Sequence, residues 1–309
     1  MRLFVTGASG FIGSAVVAEL LRAGHQVIGL ARSQASADRL RALSAATAQG
    51  SLADLGILRK TAAASDGVIH LAFRHGDPLG EAAATDGRAI DALGDGLAGS
   101  GRPLVVTSGT LVLAAGRVGT EADAPAPSAL GAARSAGEQA ALALASRGVR
   151  TSVVRLAPCV HDHVKRGFVG ALIDIAEKSG ISGYIGDGSQ RWPAAHRQDA
   201  ARLYRLAAEE APARSVLHGV GEQGVPLRAI AELIGVRLGL PVQALPPERA
   251  EAHFGWLGAL VATDVPASSA ATRALLGWNP SGPGLLDDLQ HGDFFPAAQP
   301  TQLAEGGQR

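Results

Sequence analysis

The sequence predicts an α/β fold, a Rossmann-type doubly wound parallel sheet with a smaller C-terminal substrate lobe. Three observations predict it. Short apolar, β-branched runs alternate with helical patterns through the first half of the chain, an order that builds a parallel sheet with helices on both faces. The first run passes straight into Gly7-x-x-Gly10-x-x-Gly13 and an amphipathic helix, the layout of a phosphate-binding strand–turn–helix unit. After about Pro158 the alternation loosens and Gly and Pro punctuate the chain, which predicts the separate lobe.

The elements follow in order. RLFVT, QVIGLA, GVIHLA, PLVVTS and RTSVVRLA are the expected strands. Their near-continuous apolar character fits strands buried on both faces. Helical patterns lie between them over 11–23, 35–44, 55–64, 81–98 and 130–146. Farther on, a helix over 167–178 precedes the glycine-rich ISGYIGDGSQRWP. A helix over 199–210, the short strand SVLHGV and a helix opening near Pro226 follow. The predicted organisation is a dinucleotide-binding domain over 1–158, to which 185–220 returns. The substrate lobe takes 159–184 and 221–296, and the polar, Gln/Gly-rich 297–309 forms a flexible tail.

Composition narrows the function classes. Of 309 residues, 47% are hydrophobic, enough for a sizeable core. The 28 basic and 28 acidic side chains balance, so electrostatics gives no reason to expect a nucleic acid or an anionic membrane as partner. No run reaches the ~18–20 apolar residues of a membrane helix, and MRLFVTGASG lacks the layout of a signal peptide. The single cysteine, Cys159, leaves no internal disulfide and fits a reducing compartment. A cytoplasmic protein with a small-molecule substrate is the expectation.

The glycine turn has a specific physics. Gly7 takes the tight turn, Gly10 lets the backbone approach a pyrophosphate, and Gly13 lets the helix pack close to the strand. The helix start supplies free N–H groups and partial positive charge. The second strand ends at Ala31-Arg32-Ser33. An acidic residue there would suit the ribose hydroxyls of NAD, whereas Arg32 suits the 2′-phosphate of NADP. NADP(H) is therefore the expected cofactor. The rival readings are a purely structural glycine turn and a solvated Arg32.

TGASGFIG, VIHLAF, VVTSGT, VVRLAP and GDGSQRWPAAHRQDAARLY together resemble the extended or atypical short-chain dehydrogenase/reductases, within the NAD-dependent epimerase/dehydratase group. The resemblance implies a cofactor site formed by Gly7, Ser9, Gly10, Phe11, Ile12, Gly13, Arg32, Ser33, Leu71, Ala72, Phe73, Thr107, Arg134 and Pro158. In that family a Tyr-x-x-x-Lys pair precedes the sixth strand. The tyrosine moves the substrate proton, the lysine lowers its pKa and holds the ribose, and a Ser or Thr after the fifth strand binds the same oxygen. Glu138 resembles the acidic residue four positions past the lysine, which puts Arg134 in the lysine slot and Leu130 in the tyrosine slot. The Ser/Thr position falls at or beside Gly109, between Ser108 and Thr110. The resemblance also implies a possible homodimer through the helices over 81–98 and 130–146.

Leucine cannot donate a proton, so another group must. FRHGD offers Arg74, His75 and Asp77, and APCVHDH offers His161, Asp162 and His163. SGYIGDGSQRW adds Tyr184 and Arg191, and PAAHRQD adds His196 and Asp199. His161 stands where relatives carry tyrosine and ranks first, then His75, then Tyr184. The bland readings are loop histidines bonded to backbone, a buried aromatic, and an Asp199 that complements a helix dipole. The His161/His163 and His75/Asp77 spacings match no recognised zinc pattern, so no metal is expected. VVTSGT lacks the Gly-x-Ser-x-Gly of a serine hydrolase. Trp192, Trp256 and Trp278 read as packing anchors. Two function classes stay open. One is an NADP-dependent oxidoreductase for a small carbonyl or hydroxyl compound, with a sugar-nucleotide epimerase or dehydratase as a variant. The other is a non-catalytic NADP(H)-binding sensor.

Overall fold

The apolar runs of the first half become parallel strands. The computed structural model describes residues 1–295, so the expected tail over 297–309 lies outside the described residues. The first half runs β1 (Arg2–Thr6), α1 (Phe11–Arg22), β2 (Gln26–Ala31), α2 (Gln34–Ala42), β3 (Ala46–Gln49), α3 (Leu55–Ala63), β4 (Gly67–His70), α4 (Leu79–Leu97), β5 (Pro103–Gly109), α5 (Ala129–Ala143) and β6 (Arg150–Leu156). The second half runs β7 (Cys159–His161), α6 (Gly167–Ser179), β8 (Ser182–Ile185), β9 (Arg191–His196), α7 (Arg197–Glu210), β10 (Ser215–Gly219), β11 (Glu222–Pro226), α8 (Leu227–Leu238) and β12 (Val242–Leu245). Four short helices close it: α9 (Ala250–Phe254), α10 (Gly258–Val261), α11 (Ala270–Leu276) and α12 (Leu285–His291).

The main sheet has seven parallel strands in the order β10-β6-β5-β4-β1-β2-β3. Successive side chains of the inner strands feed opposite cores, which explains their unbroken apolar runs. Leu3 and Val5 pack with Val16 and Leu20 of α1 and Leu203 of α7. Phe4 between them packs with Leu58 of α3 and Ile90 and Leu93 of α4. Each such buried side chain contributes roughly 1.5–3 kcal/mol. The strand order reverses between β1 and β4, and that switch point is where ligands of open α/β sheets bind.

α7 and β10 lie in the sheet layer, whereas β9 belongs to the lobe. There β9 pairs antiparallel with β11 and parallel with β7, and β12 pairs with β8. Trp192 on β9 is fully buried in the lobe core, with Ile173, Ile230 and Phe254. Trp278 is also buried and its Nε1 donates to the Asp199 carbonyl, whereas Trp256 is exposed. No described helix is long and apolar enough to cross a membrane.

One buried ion pair joins α5 to β6. Arg155 meets Glu138 at 2.7 Å through Nη2 and at 3.0 Å through Nε, and its Nη1 donates to the Asp123 carbonyl at 2.8 Å. Glu138→Ala would leave the guanidinium buried without its counter-charge. It should lower stability by about 3–5 kcal/mol in a denaturant titration. A loss below about 1 kcal/mol would show that the pair does not organise this interface.

Candidate active site

The glycine turn is as tight as its spacing implies. Gly7 has φ +67° and its carbonyl accepts from Gly10 N at 3.0 Å. A Cβ on Gly7 would lie 2.8 Å from Ala72 N, and one on Gly13 would lie 2.0 Å from the Gly7 carbonyl oxygen. α1 begins at Phe11 with no side chain capping it. Uncapped N–H groups, a glycine path along the backbone and the positive end of the helix fit a dinucleotide pyrophosphate. Ser9, Phe11, Ile12, Leu71, Ala72, Phe73 and Pro158 are half-buried around this edge. Arg32 is exposed, and Ser33 accepts from Ser36 N to cap α2.

A buried polar chain ties β1, β4, α4 and α5 together. Ala72 N donates to Thr6 Oγ1 at 3.2 Å, and the Thr6 hydroxyl is hydrogen-bonded to His70 Nδ1 at 2.7 Å. The Asp86 carboxylate can only accept, so His70 Nε2 donates to Asp86 Oδ1 at 3.0 Å. The other Asp86 oxygen lies 3.7 Å from Arg134 Nη1. Arg134 Nη2 donates to the Thr107 carbonyl at 2.9 Å, and its guanidinium lies 4.0 Å above the Phe73 ring. Burial pushes the Arg134 pKa down, against Asp86 and Glu138, which push it up.

His75 also meets the Phe73 ring, edge to face at 5.1 Å. Its pKa is pushed below the ordinary 6.5, first by desolvation and then by the Arg134 charge. Its neighbours Arg74 and Asp77 pair with each other at 2.6 Å. Thr107 Oγ1 donates to the His70 carbonyl, so Tyr204 OH donates to Thr107 at 2.8 Å. Burial holds the Tyr204 phenol well above its usual pKa. Ser108 and Thr110 are buried, and neither hydroxyl has a hydrogen-bond partner among the described residues.

The other candidates gather elsewhere. His161 is buried with Nδ1 at 2.6 Å from Asp288 Oδ2, and its Nε2 is unpartnered, with Glu222 at 3.9 Å. His196 stands edge to face with it at 5.7 Å and caps α7 by accepting from Gln198 N. Asp162 pairs with Arg197 at 2.9 Å, Arg197 lies 4.9 Å from the Phe11 ring centre, and His163 is exposed. Asp199 lies in the first turn of α7 and accepts from Ser281 and Gly282 N–H groups. Tyr184 lies on β8 in the lobe beneath Arg228, and Arg191 is bound at both ends by Asp264. The structure thus groups Phe73, His75 and Arg134, and separately groups His161 with His196. No three described His, Cys, Asp or Glu form a metal-holding group.

Sequence reasoning missed Thr6, His70, Asp86, Arg197 and Asp288. Asp86 alone left a usable signal, because it interrupts the apolar stripe of α4 made by Ala82, Ala89, Ile90 and Leu93.

Fold and turn are those of the dinucleotide-binding α/β class, with the glycine turn beside the point where the strand order reverses. The chain belongs to the NAD-dependent epimerase/dehydratase family, whose model matches residues 3–217. It is 46% identical to an uncharacterized protein of Schizosaccharomyces pombe, C2A9.02, over 96% of this chain and 100% of that one. It is 43% identical to an uncharacterized protein of Saccharomyces cerevisiae, YLL056C, over 94% of this chain and 98% of that one. Among solved structures, a dTDP-glucose 4,6-dehydratase from Streptomyces venezuelae, with NAD and TYD bound, matches at TM-score 0.76 and 20% identity, covering 94% of this chain and 95% of that one. A UDP-glucose 4-epimerase from Thermotoga maritima, with UDP-glucose, matches at TM-score 0.74 and 21% identity, over 94% and 96% of the two chains. At those identities the structural likeness shows the fold.

Gly13→Ala should weaken dinucleotide binding at least about tenfold and cost about 1–3 kcal/mol of stability, because the added methyl overlaps the Gly7 carbonyl. Calorimetric titration and denaturation measure the two effects. Unchanged binding would show that the dinucleotide does not use this turn.

Proposed function

We propose that the chain is an NADP(H)-dependent oxidoreductase of the atypical short-chain type, acting on a small carbonyl or hydroxyl compound. One observation carries the reading. Arg134, in the lysine slot, is seated on Phe73 with His75 against the same ring, at the strand edge that also bears the glycine turn. The Gly7–Gly13 turn would hold the pyrophosphate, and Arg32 with Ser33 the adenosine-side phosphate. Residues 71–73, Thr107 and Pro158 would line the nicotinamide end. A nicotinamide dinucleotide bound there supplies or accepts a hydride. The domain division at 158, with a lobe built from 159–184, β9 and the described residues from 221 onward, would set the substrate between the lobe and this edge.

His75 is the acid/base this geometry favours. Its lowered pKa keeps it neutral at pH 7, so it can take the proton of a hydroxyl substrate. His161 is sealed from solvent and engaged by Asp288. A sugar-nucleotide epimerase or dehydratase is a weaker variant, because its proton chemistry leans on the tyrosine that α5 lacks.

A second reading, a non-catalytic NADP(H) sensor, is favoured by one observation. α5 contains neither tyrosine nor lysine, and the phenol of Tyr204 is buried and engaged by Thr107. Oxidation of NADPH against aldehydes, ketones, quinones and imines separates the two. Turnover supports the enzyme, and tight binding without turnover supports the sensor.

Arg32→Glu should weaken NADPH binding by about 1.5–3 kcal/mol and leave NADH nearly unaffected. Equal losses would remove Arg32 from the 2′-phosphate role. His75→Ala should lower turnover about a hundredfold. Because the His75 pKa is lowered, its neutral form predominates above pH 6.5, and in the hydroxyl-oxidising direction, where His75 takes the proton, the rate should fall as pH drops below that. The variant should lose this acid limb. A limb that persists would assign it to another group.

A further inference from the structure

We propose that Arg134 Nη1, Ser108 Oγ and Thr110 Oγ1 form a binding site for a negatively charged ligand oxygen, so that the substrate is a small organic carboxylate or enolate. The inference rests on the reading that the β4–β5 edge is the substrate end of the site.

All three atoms are buried and none has a hydrogen-bond partner among the described residues. An unmade hydrogen bond on a buried polar group costs about 1–3 kcal/mol. Three of them at one strand end mark a place built for a ligand rather than for packing.

Connectivity places all three residues at the end of β5, beside α5. Arg134 Nη2 is bonded to the Thr107 carbonyl. The planar guanidinium therefore sets Nη1 beside the peptide that leads into Ser108. Ser108 is the register partner of Arg155, whose side chain meets Glu138 of α5. Ser108 therefore faces α5 as well, and Arg134 precedes Glu138 by one turn of that helix. Thr110 opens the short turn after Gly109.

The remaining surfaces of the guanidinium are accounted for. Phe73 covers one face, and Asp86 stands at 3.7 Å, too far for a hydrogen bond but close enough to keep the group charged. One Asp86 oxygen is already engaged by His70. Arg155, by contrast, is fully matched by Glu138. Arg134 keeps a donor free at the end of β5, and a charged oxygen gains most from it. An oxygen that remains anionic also needs no phenol, which fits an α5 without tyrosine.

Calorimetric titration with benzoate and its neutral isostere benzamide, each with and without NADP⁺, tests the site on the full chain. Benzoate should bind at least about tenfold more tightly than benzamide. Arg134→Met should remove that preference, and Arg134→Lys should restore part of it. Should Arg134→Met fail to fold, the double variant Ser108→Ala/Thr110→Val must weaken benzoate. Equal affinity for the two probes overturns the proposal, and so does no benzoate binding. Loss of NADP⁺ with benzoate retained in Arg134→Met also overturns it, because the guanidinium then serves the dinucleotide. Benzoate preference in a protein that binds no NADP⁺ supports the site and removes the dinucleotide reading instead.

Discussion

The carboxylate of Asp86 is the constraint on which the site depends. It sits on the buried face of α4, where a lone charge would cost several kcal/mol. Its partners come from two other elements, His70 at the end of β4 and Arg134 on α5. His70 in turn is held by Thr6 from β1. Four elements are thereby set in mutual register by groups that cannot be left unpaired. Phe73, three residues past His70, can then support Arg134, and His75 follows two residues later. The strand edge facing the glycine turn is thus organised from beneath by charge, while the sheet is organised by apolar burial.

The sheet was legible because its strands are buried on both faces, and unbroken apolar runs reveal that without knowledge of neighbours. β3 escaped because ATAQ has no such run, and its place comes from pairing with β2 at the sheet edge. β8 and β9 escaped within a stretch that reads as glycine-rich loop. β9 even carries Pro193, which argues against a central strand. The structure accommodates it because the β9–β11 ladder shifts register between Glu222 and Val225, and pairing with β7 starts only at Ala194. Such small sheets arise from tertiary context, and periodicity does not encode them.

The site divides along the same line. The glycine turn is local, so spacing alone located its residues. The histidines are not local. His161 ranks first from its place after the sixth strand, but its fate is set by Asp288, 127 residues away. The His75 pKa is lowered by burial and by Arg134, far along the chain on α5. Residue type and spacing can nominate a histidine. Only the fold decides whether its nitrogen is engaged, sealed or poised.

The two polar groups are nonetheless connected. Arg197, the first residue of α7, lies over the ring of Phe11 at the start of α1 and also holds Asp162, the residue after His161. One guanidinium therefore stands between the mouth of the glycine turn and the end of β7. Its Nε is buried without a hydrogen-bond partner among the described residues, so Asp162 does not use its full donor capacity. A cation in this position adds to the positive potential at the α1 N-terminus, and Asp162 reduces it. The same side chain thus contributes positive charge both beside Asp162 and at the α1 N-terminus. The separation between sheet and lobe is a separation of cores, and the electrostatics of the site runs across it.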